Sequence, residues 1–597
     1  MKPENFLPTT KKEAEAKNWH ELDVILFTGD AYIDHPSFGI AIIARVLENM
    51  GLKVAVVPQP NWQDDLRDFK KLGTPKLFFG VSSGNMDSMV NHYTANKRLR
   101  HNDAYTPGGR HGARPDYATI VYSKILRNIF PNSIIVIGGI EASLRRFTHY
   151  DYWSDLIKPS ILKDSEADIL VYGMGEKAVA DIAKNIITGE TLANIPQTAI
   201  ISDTPSNSYF SLHSFEDCQS GKMKFAENFK AIEIESNKVE QNGFNQKTGD
   251  KFIIVNPPYP LASENELDAI YDLPFTRLPH PKYDNKPVIP AYEMIRHSVT
   301  LHRGCFGGCS FCTISAHQGK FIASRSEKSI LKEVDNTVNM HDFKSYISDL
   351  GGPSANMYKM EPVNINICKK CHRPSCIYPE ICKNLNGDHS ALIKLYKSVN
   401  KNPKIKKAII SSGIRYDLIY NQKNPVLKKT ASEYIKIVIS NHVSGRLKVA
   451  PEHTKENVLK SMRKPDFSLF RQLISDFNKI NSIKKLNQQI VPYFIASHPE
   501  CKVSDMAEMA IETKKMGFRL EQIQDYTPTP LTLSNVLYYT GINPYTKKPV
   551  HIARSRHERE VQNKMIFWYK NNNKQFLISE LKKLQNKKIT ELLFGKK

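Results

Sequence analysis

His297-Ser298-Val299-Thr300-Leu301-His302 reads as a short β-strand that runs directly into Arg303-Gly304-Cys305-Phe306-Gly307-Gly308-Cys309-Ser310-Phe311-Cys312. The cysteines are spaced C-x3-C-x2-C, and no fourth cysteine lies near enough to complete the set locally. Three thiolates can hold three irons of a cubane cluster and leave the fourth iron open to a substrate or cofactor, whereas four thiolates close it. Gly304, Gly307 and Gly308 let the backbone wrap closely around a bulky inorganic cube. Zinc is the alternative, with His302 or His317 as a fourth ligand. The spacing favours iron–sulfur, because zinc sites usually come as two cysteine pairs.

Downstream of this loop, strand-like runs recur at Ser345 to Asp349, Ala408 to Ser411, Leu447 to Ala450, Ile490 to Ala496 and Leu520 to Gln524, with helical stretches between. Ser324-Arg325-Ser326-Glu327 is a capping-box pattern for the first of those helices. Six β-α repeats suit an incomplete barrel, in which chemistry gathers at the carboxyl ends of the strands. The residues there are small or polar: Asp349-Leu350-Gly351-Gly352-Pro353, Ser411-Ser412-Gly413 with Arg415 nearby, Pro451-Glu452-His453, Ser497-His498-Pro499-Glu500 and Asp525-Tyr526-Thr527-Pro528. Their convergence on one rim makes them candidate site residues.

Upstream, Val24-Ile25-Leu26-Phe27, Val54-Ala55-Val56-Val57, Leu77-Phe78-Phe79-Gly80, Ile134-Ile135-Val136-Ile137-Gly138-Gly139 and Ile169-Leu170-Val171-Tyr172-Gly173 alternate with amphipathic stretches. That pattern predicts a doubly wound parallel α/β sheet over residues 1–202. Ligands of such sheets bind beyond the carboxyl ends of the strands. Gly138-Gly139 opens onto Ile140-Glu141-Ala142, where a small ligand could approach a helix start. Asp34-His35-Pro36-Ser37-Phe38-Gly39 is a degraded form of the cobalamin-domain pattern D-x-H-x-x-G, with Asp and His adjacent and the glycine one position late. The expectation is a cobalamin-domain-like fold without cobalamin. Residues 203–292 are rich in Ser, Asn, Lys and Pro and read as a connector. The barrel spans 293–545, with a four-cysteine insertion at 361–386. A basic helical tail over 546–597 includes Lys582-Lys583-Leu584 and Lys596-Lys597, read as a solvated helix end.

The three-cysteine loop, with an aromatic residue before its last cysteine, resembles the signature of the radical S-adenosylmethionine (SAM) enzymes. Gly29-Asp30-Ala31-Tyr32-Ile33-Asp34-His35-Pro36, Gly138-Gly139-Ile140-Glu141-Ala142-Ser143, His317-Gln318-Gly319-Lys320 with Ser324-Arg325-Ser326, and Lys448-Val449-Ala450-Pro451-Glu452-His453 make the chain similar to the YgiQ-type members over roughly residues 20–545. The resemblance implies a partial (β/α)6 barrel and a [4Fe–4S] cluster on Cys305, Cys309 and Cys312. It further implies SAM on the open iron, Gly351-Gly352 at the SAM amine, and Phe311 with its backbone by the adenine. Pro353 stands where the family pattern has an acidic residue. The family implies radical initiation on a substrate it does not name, with an electron donor such as flavodoxin or ferredoxin.

Cys368, Cys371, Cys376 and Cys382 form a second group, C-x2-C-x4-C-x5-C, that fits zinc or an auxiliary iron–sulfur cluster. Cys218 and Cys501 have no cysteine neighbours and read as ordinary thiols, although Cys501 lies just past a strand end. With seven of nine cysteines bunched, metal or catalysis is expected rather than disulfides. At 597 residues the chain exceeds one hydrophobic core. Met1-Lys2-Pro3-Glu4-Asn5 is polar, and no run of about 18 apolar residues suggests a membrane span, so a cytoplasmic protein is expected. The net charge of +22 admits an RNA substrate, although its lysines are spread along the whole chain. A non-enzymatic zinc-binding sensor is the remaining alternative, separated from the enzyme by zinc without iron.

Overall fold

The computed structural model describes residues 3–521, 523–583 and 587–595. Its N-terminal half is built on a sheet in which Val54–Pro58, Val24–Thr28, Phe78–Ser82, Ile134–Gly138 and Ile169–Val171 lie side by side and parallel. Side chains alternate across a strand, so each apolar run feeds two cores. Val24, Leu26, Val54, Val56, Val136 and Val171 pack with the helices Gly39–Asn49 and Glu176–Thr188 on one face. Ile25, Phe27, Val57, Phe79, Ile135 and Ile137 pack with Ala118–Ile129 on the other. Both faces are covered, which is why the runs are apolar throughout.

The sheet is larger than expected, and mixed. Thr198–Ser202 adds antiparallel to Ile169–Val171, followed by Lys251–Val255, Phe244–Thr248 and Phe210–Leu212, making nine strands. The stretch 203–292 is therefore not a plain connector, and the first sheet runs past residue 202. Phe244-Asn245-Gln246-Lys247-Thr248 was hidden by its polarity. Asn245 and Gln246 are buried, but Asn245 Nδ2 donates to Ser206 O at 2.8 Å, and Gln246 Oε1 accepts from the Thr148 N–H at 2.9 Å. Satisfied hydrogen bonds replace apolar character as the licence for burial. The hairpin to Lys251 turns at Gly249, with φ at +65°.

Six parallel strands follow in the C-terminal half, the second of them divided at Ser348 into Tyr346–Ile347 and Asp349–Gly351. Ser298–Thr300 pairs with Asp349–Gly351, and Tyr346–Ile347 pairs with Lys407–Ala408. Arg446–Glu452, Gln489–Ala496 and Gln524–Asp525 form a second parallel group. This is an open barrel, as six repeats imply. Gln522, inside the expected sixth strand, lies outside the described residues. The helix after the cysteine loop, Glu327–Val338, is capped by Ser326, whose Oγ accepts from the Ser329 N–H at 3.0 Å. The Ser324–Glu327 box is displaced by two residues because Ser324 belongs to a short strand.

The C-terminal region is packed rather than solvated. Helices Arg556–Ile566, Asn571–Lys583 and Lys587–Phe594 bury Val561, Met565, Leu577, Leu581 and Leu593 in the barrel's core. Gln562 clasps the end of the fifth barrel strand, accepting from Ser497 N–H at 2.9 Å and donating to Cys501 O at 2.8 Å. The basic residues seen in the sequence lie on the outer faces of helices whose other faces are apolar. Leu584, Lys596 and Lys597 of the expected tail lie outside the described residues. Among the described residues no helix is long and apolar enough to cross a membrane.

Candidate functional site

The cysteine loop is shaped by its glycines. Gly304 has φ at +87°, and a Cβ there would lie 2.2 Å from Phe321 O. At Gly308, with φ at +59°, a Cβ would lie 2.1 Å from Pro374 O. No L-side chain fits either place. The loop folds over its own sulfurs: Gly307 N–H points at Cys305 Sγ at 3.4 Å, and Cys312 N–H donates to Cys309 O at 3.1 Å. Burial pushes the Cys305 thiol up, while the Arg415 guanidinium opposes it. Burial, reinforced by Cys309 and Cys305, pushes the Cys312 thiol up to about 12. Buried sulfurs such as Cys305 and Cys312 need a cationic partner to be thiolates.

Arg415 is one such partner within the chain. Its Nη1 donates to Cys309 Sγ at 3.2 Å, and its Nε and Nη2 grip the Asp417 carboxylate at 3.0 and 2.5 Å. Asn356 locks the backbone of Arg415 from both sides, at 2.8 and 3.0 Å. The residue was visible in the sequence only as a charge near a strand end; its aim at Cys309 depends on the fold.

Some of the strand-end residues meet the loop or one another. Phe311 meets His498 edge to face at 6.0 Å between ring centres, and His498 meets Tyr526 at 5.1 Å. Ser534 Oγ lies 2.7 Å from His498 Nε2 and 2.8 Å from Ser310 Oγ, a link that nothing in the sequence announced. Burial holds His498 and His453 neutral, each down to about 3. Cys501 is fully buried with its Sγ 3.5 Å from His453 Nε2. Gly351 and Gly352 are held tightly from behind. A Cβ on Gly351 would lie 2.9 Å from Ser412 Oγ, and one on Gly352 2.5 Å from His302 Nε2. His302 itself donates from Nε2 to Ser354 O at 2.9 Å and is buried, which ties its ring to the strand-two loop.

A chamber of about 240 Å³ opens beside the loop, lined by Cys309, Ser310, Cys312, His317, Arg146 and Glu176 among others. A second, mainly apolar crevice of about 140 Å³ lies beyond the carboxyl ends of the N-terminal strands, between Val81, Val136, Val171 and the helix residues Ile40, Ile43 and Val179. His317, Gly173, Met174 and Glu176 line both. Gly351 and Gly352 lie outside the lining of either. His35 does not reach the crevice lining; it is fully buried, and its Nδ1 accepts from Ser37 N–H at 3.0 Å. Its neighbour Asp34 pairs with Arg45 at 2.5 Å and accepts from Thr276 N–H at 2.9 Å, so the Asp-His pair ties down the chain leading to the barrel.

The second cysteine group packs against the first. Cys376 N–H donates to Phe306 O at 3.0 Å, and Cys305, Cys376 and Cys382 border one apolar cluster with Phe306, Met357, Ile377 and Leu418. Lys320 Nζ lies 3.4 Å from Cys371 Sγ, and Asn384 Nδ2 3.5 Å from Cys368 Sγ. Burial pushes the Cys376 thiol up to about 11, against the Lys320 charge. Among the described residues no group of three or more Cys, His, Asp or Glu is drawn in tightly enough to grip a single metal ion. A cubane spaces its ligating sulfurs more widely than one ion does.

Residues 6–298 match the family model described as Radical SAM N-terminal, and 521–589 match a domain of unknown function, DUF3362. A UPF0313 protein of Porphyromonas gingivalis is 56% identical over 99% of this chain and 95% of its own length. The chain belongs to the UPF0313 family. Another member, from Bacteroides thetaiotaomicron, is 54% identical over 99% of this chain and 98% of its own length. The YgiQ-type radical SAM resemblance read from the motifs therefore holds, and this UPF0313 protein is a radical SAM enzyme. Among solved structures, the methyltransferase TsrM of Kitasatospora setae, with cobalamin and a [4Fe–4S] cluster bound, is 12% identical at a TM-score of 0.48, over 86% of this chain and 74% of its own. OxsB, a cobalamin-dependent SAM radical enzyme with aqua-cobalamin bound, is 11% identical at 0.48, over 95% and 58%.

Proposed function

We propose that Cys305, Cys309 and Cys312 hold a [4Fe–4S] cluster and that the protein uses it to cleave SAM reductively, starting radical chemistry on a small substrate in the adjoining chamber. The observation that carries this reading is the set of three cysteines on a glycine-folded loop, with Arg415 aimed at Cys309 at 3.2 Å. When bound and reduced, such a cluster supplies one electron to SAM, giving methionine and a 5′-deoxyadenosyl radical that takes a hydrogen atom from the substrate. A flavodoxin- or ferredoxin-type donor delivers that electron.

The chain's own residues prepare the place. Arg415 balances thiolate charge where water is excluded, and Asp417 holds its fork in position. Phe306, Met357 and Leu418 close the back of Cys305 against solvent. Phe311, fixed by His498, sets the direction of the loop's exit. Keeping water from the chamber protects a reactive carbon from side reactions. Cys368, Cys371, Cys376 and Cys382 form the second metal site of this reading, zinc or an auxiliary cluster, directly behind Phe306. The expectation of a fold without cobalamin is not supported: the apolar crevice beside His317 is shaped independently of His35 and stays open to such a ligand. Incubation with hydroxocobalamin and a visible spectrum tests it.

The deciding experiment is anaerobic reconstitution with iron and sulfide, reduction by dithionite, and assay of 5′-deoxyadenosine from SAM. Product that disappears in Cys305→Ala, Cys309→Ala and Cys312→Ala is the expected result. Product retained in any one of them sinks the assignment, and zinc without iron would move it to a metal-binding protein.

A further inference from the structure

One cation lining the chamber beside the cysteine loop has no acidic partner among the described residues. Arg146 follows the short helix Gly139–Leu144, lines the same cavity as Cys309 and Cys312, and is only 7% exposed. Its Nη1 donates to Ser143 O at 2.6 Å, and its buried Nε has no hydrogen-bond partner. Its carbon of charge sits 4.6 Å from the centre of the Tyr172 ring and 5.1 Å from that of Phe147. Among the described residues no Asp or Glu pairs with it; burial, opposed only by Tyr172, pulls the guanidinium down to about 10.

The other cations of the same wall are provided for. Arg303 pairs with Glu176 at 2.6 Å, Arg463 with Glu233 at 2.7 Å and Lys177 with Glu266 at 2.5 Å. Lys320 Nζ donates hydrogen bonds to Arg373 O at 2.6 Å and to Cys371 Sγ at 3.4 Å. A buried charge without a counter-ion is costly, and chains retain one where a ligand supplies the partner. Stacking on two rings and the Ser143 carbonyl pre-orient the planar fork, which suits two-point contact with an oxyanion. Ser143 also meets His317, 3.1 Å from Nδ1, so the anion site and the wall of the chamber share one support.

We propose that Arg146 anchors an oxyanion of the substrate, a carboxylate or phosphate, holding it in the chamber beside Cys309 and Cys312. This names the substrate class for the radical reading above and rests on it. A chamber of about 240 Å³ admits a small molecule rather than a folded macromolecule.

The test is calorimetric titration of the anaerobically reconstituted full-length protein with inorganic phosphate and, separately, with acetate, chloride making up a constant ionic strength. Wild type binds one of the two saturably at one site, and which one binds tells phosphate from carboxylate. Arg146→Gln binds it roughly tenfold or more weakly. Arg146→Lys, which keeps the charge and loses the fork, falls between and guards against a folding failure of the glutamine variant. Three results overturn the proposal: neither anion binds wild type, Arg146→Gln binds as wild type does, or Arg146→Gln loses tenfold in SAM affinity, which would give the guanidinium to the SAM carboxylate. Should wild type bind the anion through Arg146 and yet release no 5′-deoxyadenosine with SAM and dithionite, the radical reading fails and the substrate assignment falls with it.

Discussion

His317 Nδ1 lies 3.1 Å from Ser143 Oγ, joining two stretches 174 residues apart. Ser143 closes the Gly138-Gly139 turn of the N-terminal sheet, and His317 follows the cysteine loop of the barrel. Ser143 Oγ also donates to Gly139 O at 2.7 Å and accepts from Gly173 N–H at 3.0 Å. One hydroxyl thus fixes two strand ends and the wall of the chamber. Ser143→Ala leaves three groups without this partner and costs about 1–3 kcal/mol of stability. The check is denaturant unfolding beside the wild type, with an unchanged midpoint counting against the link.

Arg415 has a double commitment to Cys309 and Asp417. Arg415→Met leaves the Asp417 carboxylate, 1% exposed, without its partner. A loss of about 3–5 kcal/mol is expected from breaking such a buried pair. Iron retained per chain after reconstitution also falls, and it recovers in part in Arg415→Lys. Full iron in Arg415→Met would show that the thiolates need no cation from this side.

Arg45 and Asp34 make the corresponding pair in the N-terminal half, with side chains 4% and 0% exposed. Arg45→Met exposes the same weakness and costs about 3–5 kcal/mol. Because Asp34 also accepts from Thr276 N–H, the proteolytic sensitivity of the chain near Thr276 rises. Limited proteolysis that cuts the variant no faster there would refute this.

His389 carries an acid-stability signature. Burial holds it neutral down to about 4, its Nε2 3.3 Å from the Asn356 amide. In the unfolded chain a histidine takes its proton near pH 6.5. Between those values the unfolded state binds more protons, so stability falls as pH is lowered through this window and levels below about 4. A displacement of this size is on the order of 3 kcal/mol. In His389→Gln the slope of stability against pH between about 6.5 and 4 becomes shallower by one proton; an unchanged slope would mean that His389 titrates normally.

The second cysteine group separates from the first by metal content. Cys376→Ala lowers either zinc or iron per chain, and Cys305→Ala lowers iron alone. Metal analysis of both variants beside wild type reads this. Identical metal content in Cys376→Ala and wild type would leave the insertion a purely structural loop.

The amino-acid order alone determined what depends on neighbours along the chain. Short apolar runs marked the strands of both halves, and C-x3-C-x2-C marked the loop, because apolar runs and ligand spacing are local properties. The strand Phe244–Thr248 escaped because its burial is licensed by Ser206 and Thr148, partners that lie outside its own stretch. The same reason hid Arg415 and Arg146. One is distinguished by Cys309, and the other by having no acidic partner among the described residues. Only the tertiary structure decided which charges are paired, since pairing is set by distance and burial between segments far apart in the chain.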